Sequence, residues 1–146
     1  MAAAAGAGDF DSSAPRNFYL LAELDREDHH GKWDASFGLV DAKDIELTEF
    51  NALIIGRQGS TSEHRSMEMR VVCGKEYPDT PPMVRFLSKV NLTFVGPDGN
   101  VDLRKVKSMG GWRRGMTIRD MLEGFQSEIL SSRNNRQKQP AEGERY

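Results

Sequence analysis

From Pro15 to Gly31, apolar residues recur at Leu20, Leu21 and Leu24, the i, i+1, i+4 spacing of one helical face. Proline suits the first turn of such a helix and glycine its end, so the pattern predicts a helix over PRNFYLLAELDRED. At about 100° per residue, Phe18 falls more than a right angle from the centre of the leucine stripe, off the expected core face. Three segments of β type follow, at 36–40, 50–55 and 66–73. In the third, Met67, Met69, Val71 and Cys73 alternate with Ser66, Glu68, Arg70 and Val72, which sends one set inward and the other toward solvent. The same rule places Phe50, Ala52 and Ile54 on one face of the second segment and Asn51, Leu53 and Ile55 on the other. Val84 and Phe86 mark a fourth short strand after the turn Tyr77-Pro78-Asp79-Thr80-Pro81-Pro82, and the even spacing favours an antiparallel meander.

Residues 88–116 show no sustained period and carry six glycines and prolines at Gly96, Pro97, Gly99, Gly110, Gly111 and Gly115. A loop of that length in a small domain usually has a function or covers something. A second helix opens at Thr117-Ile118-Arg119-Asp120, a capping-box pattern, with Ile118, Met121, Leu122, Phe125 and Ile129 as its apolar stripe. Gly124 inside it marks close backbone packing. The polar tail after Ser132 is expected to hold little helix, and the Gly/Ala-rich residues 1–14 to be disordered. The architecture is α+β: helix, four strands, long loop, helix, in one domain spanning 15–146.

Composition narrows the chemistry. The 146 residues contain one cysteine and three histidines, His29, His30 and His64, too few and too scattered for a tetrahedral zinc site and unable to form an internal disulfide. A reducing compartment follows. No apolar run approaches the ~18 residues of a membrane span, and the start has an alanine tract but no basic n-region, so neither membrane nor secretion is expected. Residues 1–50 hold 11 acids and 4 bases, and residues 51–146 hold 11 acids and 16 bases, giving −7 and +5 for a net −2. The densest basic stretch is Arg104, Lys105, Lys107, Arg113, Arg114 and Arg119, with Trp112 as its one interleaved aromatic. The acidic balance of the whole argues against a phosphate-driven binder, so no nucleic acid is expected, and a solvated basic rim is the simpler reading. Cys73, on the inward face of its strand among Met69 and Val71, reads as a small hydrophobe with a raised pKa. His29 and His30 read as the end of the first helix.

The element order and the Tyr-Pro-x-x-Pro-Pro turn resemble the ubiquitin-conjugating enzyme (UBC) fold. Longer motifs sharpen the resemblance: PRNFYLLAELD at 15–25, FGL at 37–39, IIG at 54–56, CGKEYPDTPPMVRF at 73–86 and QP-x-EG at 139–143. Together they resemble the ubiquitin-conjugating enzyme variants, catalytically inactive relatives that partner a dedicated active E2. An active member carries ubiquitin as a thioester on a cysteine, with the asparagine of a His-Pro-Asn triplet stabilising the oxyanion. Counting from Pro81-Pro82, the triplet here is Leu92-Thr93-Phe94, and Asp102 occupies the expected cysteine position. Asn91, just before the triplet, reads as turn chemistry. Only about fourteen polar residues follow the second helix, where active members continue with two further helices.

The resemblance implies an adaptor without cofactor. It docks on the active E2 and holds an acceptor ubiquitin noncovalently, so that one lysine faces the partner's thioester and chains linked through lysine sixty-three form. For the partner surface it implies Phe18, flanked by Arg16 and Asn17, with Leu21 serving core and interface together. For the acceptor it implies the outer sheet face at Ser36, Leu53 and Ser66. Ser66 departs from the isoleucine of the relatives, and Arg57-Gln58-Gly59-Ser60 from their Gly-Pro-Pro turn. Roles in DNA-damage tolerance or signalling, and a place in cytoplasm and nucleus, are implied with it. Two other readings stay open: a peptide-binding branch of the same fold that serves membrane-sorting complexes, and an active conjugating enzyme with a displaced nucleophile.

Overall fold

A computed structural model of the chain describes residues 10–29, 34–135 and 137–146. Helix α1 runs Arg16–Asp28, strands β1 (Ala35–Leu39), β2 (Glu49–Ile55), β3 (Ser66–Val72) and β4 (Met83–Phe86) follow, and α2 spans Ile118–Ile129. The strands form one antiparallel sheet in sequence order, the expected meander. Strict alternation fixes its faces: Phe50, Ala52, Ile54, Met67, Met69, Val71, Val84 and Phe86 are buried inward. Ser36 pairs with Leu53, and Ile55 with Ser66, on the outer side.

Helix α2 begins where its sequence says. The Thr117 hydroxyl accepts from the Asp120 N–H and the Asp120 carboxylate accepts from the Thr117 N–H, a complete capping box. All five residues of its stripe are buried, and Phe125 meets Phe94 and Phe86 at ring-centroid distances of 5.3 and 6.3 Å. A Cβ on Gly124 would lie 3.3 Å from the Cβ of Met109, which accounts for a glycine inside this helix. Met109 belongs to the long loop, which tightens into two 3-10 turns at Leu103–Lys105 and Lys107–Met109.

Helix α1 buries a different face from the expected leucine stripe. Tyr19, Leu20 and Glu23 are buried, Leu24 is partly buried, and Leu21 is 50% exposed. The spacing is the same i, i+1, i+4, moved back one residue. Tyr19 explains the rotation: its hydroxyl donates to the Met116 carbonyl (2.5 Å) and accepts from the Gly115 N–H (3.1 Å), docking the helix on the loop ahead of α2. Hydrophobicity alone weights leucine above tyrosine and cannot rank a buried glutamate at all. Gly31, expected to end the helix, and His30 lie outside the described residues; His29 caps the helix with its N–H on the Arg26 and Glu27 carbonyls.

Both ends of the chain are more engaged than the sequence implies. Residues ahead of Pro15 pack on the fold. The Phe10 ring packs edge-on against Tyr19 at 4.6 Å, beneath the Arg26 guanidinium, while Arg114 donates to the carbonyls of Ser12 and Ala14 (both 2.7 Å). Of the stretch 1–14, expected to be disordered, residues 10–14 make these contacts and residues 1–9 lie outside the described residues. A single helical turn, α3, occupies Ser132–Asn135. The tail then returns along 87–91, with Lys89 N–H on the Glu144 carbonyl and Tyr146 N–H on Leu87. No helix among the described residues is long and apolar enough to cross a membrane.

Candidate functional site

The loop that would hold a catalytic centre is folded closed. Asp102 donates its N–H to the Phe94 carbonyl at 2.9 Å, and Val95 bridges Val101, so the counted triplet and the counted cysteine position do lie side by side. Their chemistry is structural. Leu92 and Phe94 are buried in the core, and Thr93 is bonded through its N–H and hydroxyl to the Asn134 amide. Asn91 commits its side-chain amide to Gln137 and the Lys138 carbonyl, tying down the tail. Asp102 caps the 3-10 turn that follows: it accepts from Arg104 N–H (3.0 Å), Nε (3.1 Å) and a terminal guanidinium nitrogen (3.2 Å). The bond from the Arg104 side chain, foremost, holds the Asp102 carboxyl below the ordinary carboxylate range.

The chain's one thiol is remote from solvent. Cys73 is fully buried, and burial pushes its pKa well above the ordinary thiol range, with the Glu23 charge adding to the rise. Among the described residues no group of histidine, cysteine and carboxylate side chains is placed to hold a metal ion.

On α1, Phe18 is 67% exposed, with Leu21 and Asn17 also exposed on the helix. Arg16 differs from them. All five of its N–H donors are committed within the chain: Nε to the Gly74 carbonyl, one terminal nitrogen to Asn17 Oδ1 and the Glu46 carbonyl, the other to the Leu47 and Cys73 carbonyls, at 2.7–3.0 Å. Its side chain therefore anchors the start of α1 to the β1–β2 loop and the end of β3 and has no donor left for a partner.

That clamp exposes a residue the sequence reading missed. Ile45, in the β1–β2 loop, is 86% exposed. The loop is rigid: the Asp44 carboxylate accepts the N–H groups of Glu46, Leu47, Thr48 and Glu49 at 3.0–3.4 Å, while Leu47 takes φ +55°. An isolated isoleucine between charged residues was the available signal. The single Arg16 guanidinium thus ties the loop bearing Ile45 to the turn bearing Phe18.

Ser36, Leu53 and Ser66 line one shallow depression on the outer sheet face, as expected from alternation. Leu53 is half-buried, opposite Ser36 on one side and Glu68 on the other, and the Arg145 guanidinium lies 3.5 Å from Glu68. The lining mixes apolar and polar groups, and Glu68, Arg70 and Arg145 charge it.

Of the basic stretch, Arg104 is on Asp102, Arg114 on Asp79 (2.7 Å), and Arg119 on Glu27 (2.6 Å) in a largely buried pair. These arginines are fold contacts.

The ubiquitin-conjugating enzyme family model matches residues 21–146. A ubiquitin-conjugating enzyme E2 variant 1B from Arabidopsis thaliana is 39% identical over 131 residues, 88% of this chain and 82% of that protein. The Saccharomyces cerevisiae ubiquitin-conjugating enzyme variant MMS2 is 37% identical over 136 residues, 92% and 99% of the two chains. Among solved structures, human ubiquitin-conjugating enzyme E2 G1 superposes with a TM-score of 0.70 at 21% identity, covering 79% of this chain and 94% of that one, a likeness of fold.

Proposed function

Since the chain belongs to the ubiquitin-conjugating enzyme family, among its E2 variants, we propose that it is the noncatalytic subunit of a ubiquitin-chain-forming pair. It binds an active E2 and presents an acceptor ubiquitin so that lysine-sixty-three-linked chains form. One observation carries the noncatalytic reading: the chain's only cysteine is fully buried, and a thioester needs a thiolate that an incoming C-terminus can reach.

The division of labour follows from the surfaces. Phe18, Leu21 and Ile45 supply apolar anchors on two elements held together by Arg16, which suits docking on a partner with little reordering. Leu53 with Ser36 and Ser66 supplies the acceptor contact, and a shallow, mixed polar and apolar surface suits a weak, exchangeable one. The adaptor contributes orientation. Holding one lysine against the partner's thioester turns an encounter of two free molecules into a positioned attack, and positioning alone is worth orders of magnitude in rate.

The test is chain assembly from activating enzyme, ATP, ubiquitin and an active E2, with and without this chain, followed by linkage mapping. Lysine-sixty-three linkages that depend on its addition are expected. Unchanged product and linkage on addition overturn the proposal.

A further inference from the structure

The outer sheet face has a second end, distinct from the Ser36–Leu53–Ser66 depression. Between Ser66 and Val72 the strand advances six residues, about 20 Å. There Val72 and Met83 are directly opposite across β3 and β4, and both point outward; Met83 is 67% exposed. The next pair along the same face is Arg70 opposite Arg85. Two like charges at directly paired positions disfavour the sheet unless something neutralises them. Arg70 has Glu49 at 3.4 Å and Asn51 at 3.2 Å. Arg85 donates Nε to the Asp98 backbone carbonyl; the Asp98 carboxylate accepts from Asn100 and feels the Arg85 charge from beyond ion-pair distance. Of the two guanidiniums only Arg70 has a carboxylate in ion-pair contact, and both lie beside the exposed Met83 and the half-buried Val72, around a depression of about 290 Å³ that Leu87 and Asn100 complete.

We propose that this end of the sheet binds an acidic peptide segment that carries an apolar side chain. The apolar residue lies between Val72 and Met83, and its flanking carboxylates span Arg70 and Arg85, giving Arg85 the ion-pair contact that only Arg70 has within the chain. Recognition is through side chains. Although β4 is an edge strand, its outward backbone is already taken, with Phe86 N–H on the Gly99 carbonyl (2.8 Å) and the Val84 carbonyl accepting from Val101 (3.0 Å), so a peptide cannot add as a further strand. The site goes beyond the proposed adaptor role and gives the chain a contact for a third protein.

The experiment is NMR titration of the ¹⁵N-labelled full chain with a short peptide holding one leucine among glutamates. Controls are the same peptide with glutamines, the same with serine for leucine, and a thymidine oligonucleotide of equal charge. Shifts confined to the amides around Arg70, Val72, Met83, Arg85 and Asn100 are expected. Met83→Ser should weaken binding about fivefold and Arg85→Glu about tenfold or more. Both residues are exposed, so the variants should keep dispersed spectra and full co-elution with an active E2. The proposal is overturned by absence of shifts at millimolar peptide, by equal binding of the glutamine peptide or the oligonucleotide, or by variants that bind like wild type. It also fails if Arg85→Glu abolishes E2 co-elution, because the patch would then belong to the partner surface.

Discussion

Glu23 lies at the junction of α1, the Tyr77 turn and the start of α2, 3% exposed. One carboxylate oxygen accepts from the Ile118 N–H at 2.6 Å and the other from the Tyr77 hydroxyl. Burial outweighs those two bonds and pushes its carboxyl from 4.5 up to about 7; Asp120 adds to the rise and Arg26 opposes it. The folded chain therefore holds this proton more tightly than the unfolded one. The resulting stability is complete below pH 4.5 and is lost as pH rises through about 7. A gap between 4.5 and about 7, at about 1.36 kcal/mol per pH step, makes the ionised carboxylate about 3 kcal/mol less favourable in the fold. Glu23→Gln removes the titration while keeping an acceptor for Ile118 and a side chain of the same shape. Urea unfolding of both proteins at matched pH values, from about 4 to about 8, isolates the effect, since His29 and the other titrating groups cancel in the difference. The variant should gain about 3 kcal/mol on wild type across that window. A difference that stays flat with pH would refute the reasoning, by showing that Glu23 does not change protonation there.

Phe18→Ala should weaken binding to an active E2 by about two orders of magnitude: two thirds of a ring burying about 200 Å² corresponds to about 3 kcal/mol of contact. Ubiquitin binding measured by NMR should be unchanged. Arg16→Lys keeps the charge but loses the planar fork, and should lower unfolding free energy by about 2 kcal/mol and weaken E2 binding through a loosened Ile45 loop. Hydrogen exchange at residues 44–48 reads that loosening directly. Ser66→Ile adds apolar surface beside Ile55 and Leu53 and should tighten acceptor binding about fivefold in the same NMR titration.

Where a rule of local geometry dominates, the fold was legible in the residues. Met67, Met69 and Val71 alternate without exception, and Thr117 with Asp120 closes a box whose two bonds span three residues, so β3 and the start of α2 came out in place. The residues at the counted positions can be read directly: Asp102 and Phe94 stand where the resemblance puts the cysteine and the asparagine of an active member. What escaped depends on partners far along the chain. Arg16 reaches carbonyls 30 to 58 residues away, a contact no spacing announces, and these bonds make it an anchor of the proposed partner surface. Tyr19 rotates α1 by bonding across 97 residues to Met116, and with it Glu23 becomes core. Phe10 is held by Tyr19 and Arg26, which only the folded helix brings together. Met83 follows two prolines, where alternation was too short to announce an exposed methionine beside Val72.

The proposed role makes this chain the organiser of a reaction that its active partner performs. Incubation with activating enzyme, ATP and ubiquitin, resolved under non-reducing conditions, tests it most directly. No reducible ubiquitin adduct is expected on this chain, and lysine-sixty-three-linked chains are expected only when an active E2 is added, with assembly lost in Phe18→Ala. A reducible adduct that disappears in Cys73→Ala, on a protein still folded, would contradict it.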